Sequence, residues 1–588
     1  MATTQAPTPR PSDSDATAAP LGPLASDDAT DASDHAGVPA EAPRRRRPDP
    51  VVCVAAALVL VPTIAAMVSA LRNPYGPTND WALLELQVRD VGTGDTPLLG
   101  AWSRFGWDHP GPLMFYALAA FYRLVPGENG LLFAAAAINF VAVAGAAAVT
   151  LASTRARALV TLLCLALLQL GLGILNLSDP WNPTLPILPF ALYALVCIEI
   201  ALGGRRWRVP VAAGLAAFVV QSHVGFAQPV AALLLTALVV RWWTSRRTDA
   251  GAGTDDGHRL PWWRRALPTT VVIVLTWLPV LIDQVAGSGN IGRIARWAAG
   301  RDVGGGMNAL TEGRLPPGDV ARSASWLLDP IGLWLGRFQP AEAFGLTLLD
   351  GRPVGRLLWL ALGAVAVAVL VRLARAADRP PVVAAAAITL AGLVATIGDL
   401  ATARGAPVFW PFRWVAVEVM LVWLTIGWAL VAAAASITRR PSPAVVRAAG
   451  AVAIVVIAVP VALTVWHGSL GEQPAQAASA PLLRLAPAIE EEARQQQVVV
   501  ANTVDMLSPV DLGLPVVLDR AGIPWVERND PRAAGHDVLY VREAAALEGA
   551  IGGYVATGHV EVLARSGPPR PGEPAGSELV LLLAHATG

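Results

Sequence analysis

The sequence has no lysine: its 44 basic residues are all arginine, and 44 acidic residues bring the formal net charge to zero. No overall basic charge therefore points to a nucleic-acid partner. Only 15% of residues are charged, against roughly 25% in an ordinary soluble domain. The three cysteines, Cys53, Cys164 and Cys197, lie inside apolar runs, which excludes a disulfide framework and a cysteine metal site. There is no Walker-type loop, dinucleotide fingerprint or His-Glu-x-x-His element, so an ATP-driven pump and a zinc protease have no support. What fills the chain instead is apolar: 54% of 588 residues are hydrophobic and mean hydropathy is +0.50. Length alone would suggest about four soluble domains. The long apolar runs overrule that count and exclude a water-soluble enzyme, a disordered chain and a collagenous one. Arginine as the sole strong base, with 53 glycines, 48 prolines and abundant alanine, reads as coding from a GC-rich bacterial genome.

Residues 1–50 carry almost no large apolar side chains and are expected to form a disordered cytoplasmic tail ending in Arg44 to Arg47. An apolar run from Val51 to Leu71 follows, long enough to cross a bilayer, and reads as an uncleaved anchor. Further spans are expected at 129–152, 157–177, 184–202, 209–222, 226–243, 267–284, 354–371, 381–399, 415–436 and 448–467. The fold class is thus an α-helical polytopic membrane protein with about eleven transmembrane helices. Arginines cluster in the loops this scheme places inside, such as 205–208 and 439–447, while the short outer turns 178–183 and 223–225 carry none. The membrane domain is 51–467, with long outer loops at 72–128 and 285–353, the latter containing Gly304-Gly305-Gly306. Residues 468–588 alternate β-like runs (Val498–Ala501, Asp537–Val541, Leu579–Leu583) with helix-like stretches (Ala486–Gln497, Pro509–Ala521). They read as a small extracytoplasmic α/β domain.

Loop 72–128 is the most informative stretch. Trp81, Leu84, Val88 and Val91 recur at helical spacing, with Glu85 and Arg89 on another face as an i,i+4 pair and Asn79 or Asp80 available as a cap. Leu113 to Leu124 is apolar but too short to span, and fits an interfacial or re-entrant helix. Ionisable groups gather here, including Asp80, Arg104, Asp108 and His109. Taken singly, each has a bland reading: Asp80 as a cap, Arg104 as a contact to lipid headgroups.

An acid just past the first span (Asn79-Asp80-Trp81) is followed by a short helix and by Asp108-His109-Pro110-Gly111-Pro112 opening a second one. A later short turn reads Asp179-Pro180-Trp181-Asn182-Pro183. This arrangement resembles the GT-C superfamily of integral-membrane glycosyltransferases, including protein O-mannosyltransferases, lipid A aminoarabinose transferases and actinobacterial arabinofuranosyl- and mannosyltransferases. The resemblance covers roughly residues 50–300; beyond them only the architecture matches. Two departures stand out. Many members have two adjacent acids where this chain has Asn79 and Asp80, and many have His-Pro-Pro where Gly111 intervenes here.

The resemblance implies transfer of a sugar from a polyprenyl-phosphate donor to a glycan, lipid or protein acceptor of the cell envelope, on the extracytoplasmic face of a bacterial plasma membrane. Such a reaction needs a base for the acceptor hydroxyl and groups that hold the departing phosphate. On this reading Asp80 is the base, although a pKa depressed by a helix N-terminus would not suit it. His109 orients the acceptor or touches the phosphate. Arg104, Arg293 and Arg296 are candidate phosphate contacts, Asp108 and Asp283 candidate substrate contacts, and Trp81, Trp102 and Trp107 candidate sugar platforms or anchors of the loop in the headgroup layer. His223 reads more simply as a structural histidine, and Asp179 as a turn former. No cofactor is assigned; a divalent metal is left open. Two rivals stand: a lipid-linked-sugar transporter or flippase, for which no clear internal repeat is found, and an inactive GT-C-like assembly partner, which the missing second acid keeps in play.

Overall fold

The computed structural model describes residues 49–103, 105–249, 262–301, 303, 316–328, 355–404, 410–437, 442–468, 474–501, 512–548, 550–571, 573 and 577–586. The expected tail through residue 48, Arg104 and most of loop 285–353, with Gly304-Gly305-Gly306, lie outside the described residues.

The first expected span forms as two helices, α1 (Pro50–Leu58) and α2 (Val61–Arg72). Pro62 lacks an N–H and stands in the first turn of α2, where none is needed. Loop 72–128 holds α3 (Asn79–Asp90), an antiparallel pair β1 (Trp102–Ser103) and β2 (Trp107–Asp108), and α4 (Leu113–Tyr122). With 10 residues, α4 is only about 15 Å long at 1.5 Å per residue and cannot cross a bilayer. Next come α5 (Gly130–Thr150), α6 (Arg155–Leu177), α7 (Ile187–Ala201), α8 (Arg208–Ser222), α9 (Ala227–Asp249) and α10 (Trp262–Ala286). Two short helices follow, α11 (Asn290–Ala298) and α12 (Pro317–Leu327). The membrane part closes with α13 (Gly355–Leu373), α14 (Arg379–Thr402), α15 (Val415–Ile437) and α16 (Pro443–Gly468).

Every expected span coincides with helix, but among the described residues eight segments are long and apolar enough to cross a membrane, not eleven. The 15-residue α7 and α8 fall short, reaching only about 22 Å against a hydrocarbon core of about 30 Å, and α13 counts only through its shorter apolar stretch Gly363–Leu373. The long helices keep their apolar outer faces uncovered: on α10, Val271, Val274, Leu275, Leu278 and Leu281 are all exposed. In water such a surface would drive association; against lipid it is already solvated. Inside the bundle the small residues Ala142, Ala146, Ala158, Ala191 and Ala194 are buried and let helix backbones approach closely.

The C-terminal region comprises α17 (Pro474–Gln495), β3 (Val499–Ala501), α18 (Gly513–Arg520), β4 (Trp525–Glu527), β5 (Val538–Glu543), α19 (Ala550–Ala556), β6 (Val560–Arg565) and β7 (Leu579–Ala584). They build a five-stranded mixed sheet in the order β4-β3-β5-β7-β6, parallel at β4, β3 and β5 and antiparallel at β7. Five consecutive residues of β7, Leu579 to Leu583, are buried, as expected of a strand covered on both faces. Leu482, Leu485 and Ile489 of α17 pack into this core.

Candidate active site

Residues from five separate stretches, 80–109, 181–183, 223–228, 294–298 and 399–412, line a cavity of about 520 Å³. That volume lies within the roughly 300–1,000 Å³ of small-molecule sites.

Asp80 stands on one wall. Its approach is set by Asn79, the one non-glycine residue with positive φ (+53°) among the described residues. Asparagine tolerates this left-handed conformation, which costs most other side chains about 1–2 kcal/mol. Neither residue caps α3. Thr78 is the N-cap, without a side-chain bond, and the Asp80 carboxylate turns instead to the Trp181 indole, which donates to it at 2.8 Å. Asp80 is open to the cavity, yet the protein around it withdraws solvent. That desolvation pushes its pKa above the ordinary carboxylate value, opposed by the Trp181 hydrogen bond and reinforced by the Asp179 charge. The expected depression by the helix terminus is outweighed.

Behind this wall the neighbouring residues exchange partners. The Trp81 indole donates to Asp179 at 2.9 Å, and the same Asp179 oxygen accepts the Trp181 backbone N–H at 2.9 Å. Arg413, with its side chain 2% exposed, lies 3.9 Å from Asp179, donates to Thr184 at 2.5 Å and to Asn176 at 3.3 Å, and stacks over the Trp181 ring at 5.3 Å. A desolvated cation–π contact of this kind is worth about 2 kcal/mol. Asp179 therefore does form the turn expected of it, and it also anchors both tryptophans.

His109 and His223 form the next wall, their ring centroids 4.5 Å apart. The Val224 amide donates to His109 Nδ1 and the Gly225 amide to His223 Nδ1, each at 3.1 Å. Both imidazoles therefore carry their proton on Nε2. Burial, then the neighbouring His223, drives the His109 pKa well below its ordinary value. Gly111 lies close beneath: a Cβ there would collide with the Gln221 side-chain amide and with Val280. A proline side chain at this position would meet the same obstruction.

Aromatic rings make the third wall. Phe105, Trp107 and Trp297 pack together at centroid distances of 4.7–5.8 Å, and Arg404 stacks on Trp297 at 5.9 Å. The remaining side bears Asp399 and Thr402, both hydrogen-bonded to Gln228 Nε2, at 3.2 and 2.8 Å.

Of the residues singled out in the sequence, Asp80, Trp102, Trp107, His109 and His223 reach the cavity. Asp283 does not line it. Its carboxylate accepts from Ser288 N, Ser288 Oγ and Asn290 N at 2.9–3.1 Å and so shapes the turn into α11. Asn290 in turn pairs through its side-chain amide with the Asp108 backbone, at 3.0 and 2.7 Å, extending the hairpin that carries His109. The Asp108 pKa is raised by burial, against the pull of Arg293. Arg293 donates to the Gly106 carbonyl, and Arg296 is exposed, with its Nε on the Gly292 carbonyl. Trp81 is buried on Asp179 rather than offered to the cavity. Arg104 is outside the described residues. Asp399, Arg404 and Trp297 also line the cavity and are not singled out by the sequence. The rule that picks an ionisable residue at a span end selects Asp399 as readily as Asp283. Among the described residues no three His, Cys, Asp or Glu side chains gather to hold a metal ion.

No protein-family model matches this sequence, and no curated relative matches it. Among solved structures the chain is similar to ArnT from Cupriavidus metallidurans, crystallised in the apo state, with 14% sequence identity and a TM-score of 0.48 over 91% of this chain and 97% of that one.

Proposed function

We propose that this protein is a GT-C-type glycosyltransferase that moves a sugar from a polyprenyl-phosphate donor to a cell-envelope acceptor at the extracytoplasmic face of a bacterial membrane. The observation that carries the reading is one cavity that combines an accessible carboxylate of raised pKa, Asp80, with the arginine Arg404, a histidine pair and an aromatic wall. The acceptor oxygen attacks the anomeric carbon, the bond from that carbon to the phosphate oxygen breaks, and its electron pair leaves with the polyprenyl phosphate. Asp80 takes the acceptor proton, and an upward pKa shift makes it a better acceptor. Arg404 offsets the charge gathering on the phosphate. Trp297 and Phe105 give the sugar ring an apolar face, and Asp399 with Gln228 offers hydrogen bonds to hydroxyls. The sequence motifs at Asp80 and His109 support the same reading, since both lie on the cavity.

The test is transfer by purified protein in nanodiscs, using a panel of labelled polyprenyl-phosphate sugars and a cell-wall acceptor extract. Wild type is expected to transfer from one donor, and Asp80→Asn to lose about 10²- to 10⁴-fold in rate. Transfer unaffected by this substitution would remove Asp80 from the chemistry. A folded wild type that transfers from no donor, with an acceptor shown competent, would favour the transporter or partner readings.

A further inference from the structure

We propose that the C-terminal domain acts as a clasp that holds α3 in place through Glu85 and Arg520 and thereby positions Asp80. This rests on the transferase reading for its kinetic consequence only. Glu85 lies on α3, one and a half turns beyond Asp80, with its side chain wholly buried. The sequence spacing suggests a local pair with Arg89. Instead Arg520, the last residue of α18, binds both Glu85 oxygens with Nε and Nη2, each at 2.8 Å, and gives Nη1 to the Tyr75 carbonyl at 3.0 Å. Tyr122 of α4 adds a third donor to Glu85 at 2.9 Å. Arg89 is drawn to the same domain, reaching the Asp519 carboxylate at 3.2 Å and its carbonyl at 2.6 Å.

Two glycines show how close the approach is. A Cβ on Gly76 would stand 2.5 Å from the Ser479 carbonyl, and one on Gly513 would stand 2.5 Å from the Pro77 carbonyl. The loop that feeds α3 is thus pressed between α17 and α18, and the Gly76 amide donates to Ser479 Oγ at 2.7 Å. Surface ion pairs fasten little, but this one is buried, bidentate and tied further to the Tyr75 carbonyl and the Tyr122 hydroxyl, so it fixes direction as well as distance. An α3 freed at this point keeps its helix and loses its aim. Arg520 and Glu85 are positioning residues.

The experiment uses the full chain in nanodiscs and reads two things: amide hydrogen exchange across 79–90, and steady-state transfer with the donor that the wild type uses. Arg520→Gln is expected to speed exchange across 79–90 by about tenfold and to lower kcat by about tenfold to a hundredfold, with the donor KM held within about twofold. Arg520→Lys, which keeps the charge without the fork, falls between, and exchanging the two residues (Glu85→Arg with Arg520→Glu) recovers part of both. Arg532→Gln, at an exposed pair in the same domain, changes neither. Unchanged exchange across 79–90 in folded Arg520→Gln overturns the clasp. Faster exchange with unchanged kcat overturns the positioning role. If Arg520→Gln does not fold, Arg520→Lys decides on the same two readouts. If the wild type transfers no sugar, the transferase reading fails on its own, and exchange across 79–90 alone upholds or overturns the clasp.

Discussion

Trp181 holds Asp80 from a turn about a hundred residues along the chain, its indole 2.8 Å from the carboxylate. The indole leaves the carboxylate open to the cavity on its other side. It also opposes the pKa rise that burial causes. In Trp181→Phe the ring remains and the donor is lost. On the proposed role of Asp80 as base, which works deprotonated, kcat/KM falls as pH drops through the Asp80 pKa, and burial sets that acid limb above the ordinary carboxylate value of about 3.9. Removing the donor raises the pKa further. A pH–rate profile of Trp181→Phe is therefore expected to show its acid limb displaced to higher pH; a limb that stays put would separate Trp181 from the protonation of Asp80.

Asn79 gives a stability prediction. Its positive φ is open to glycine and closed to β-branched residues. Asn79→Val is expected to cost about 1–3 kcal/mol, seen as a lower thermal unfolding midpoint in detergent, while Asn79→Gly stays near wild type. Equal midpoints would mean that the backbone relaxes to another conformation.

The His-Pro-Gly-Pro segment predicts a steric effect. Gly111→Ala puts a methyl against Gln221 and Val280, at a cost of about 1–3 kcal/mol for overpacking. Gln221→Ala in the same chain should recover part of that loss. A double-mutant cycle on unfolding midpoints reads the coupling, and strict additivity would count against the contact.

His109 predicts how stability follows pH. Its folded pKa is depressed by burial, so between that value and the unfolded value near 6.5 only the unfolded chain takes the proton. The stability is fully present above about pH 6.5 and falls on acidification, by up to about 1.4 kcal/mol per pH unit for this one group. His109→Asn keeps an acceptor for the Val224 amide and removes the titration. Its unfolding midpoint should fall less steeply from pH 6.5 to 5 than that of wild type.

How much of this was legible in the sequence varied with the physics involved. Spans follow from hydropathy summed over about twenty residues, and each expected one meets a helix; α7 is shorter than the expected 184–202, starting only after Pro186, while α8 matches 209–222. The resemblance points to Asp80 and His109, and both line the cavity. Arg404 and Asp399 carry no local signal beyond standing at a span end, and only the packing of α14 against α9 brings Asp399 to Gln228. The pairing of Glu85 and Arg89 failed for a similar reason. The i,i+4 rule describes a helix in solvent, and α3 is covered by a domain that begins some four hundred residues later.

That distance bears on synthesis. Glu85 and Arg520 are 435 residues apart, so a nascent chain makes the carboxylate of α3 long before its counter-charge exists. Until Arg520 emerges, Glu85 lacks the cation that pairs with it in the complete chain, and burying it against α4 is costlier. The order of translation therefore delays completion of the Asp80 wall until the membrane helices are already in place, and a ribosome that stops short of α18 releases a bundle whose α3 is left unfastened.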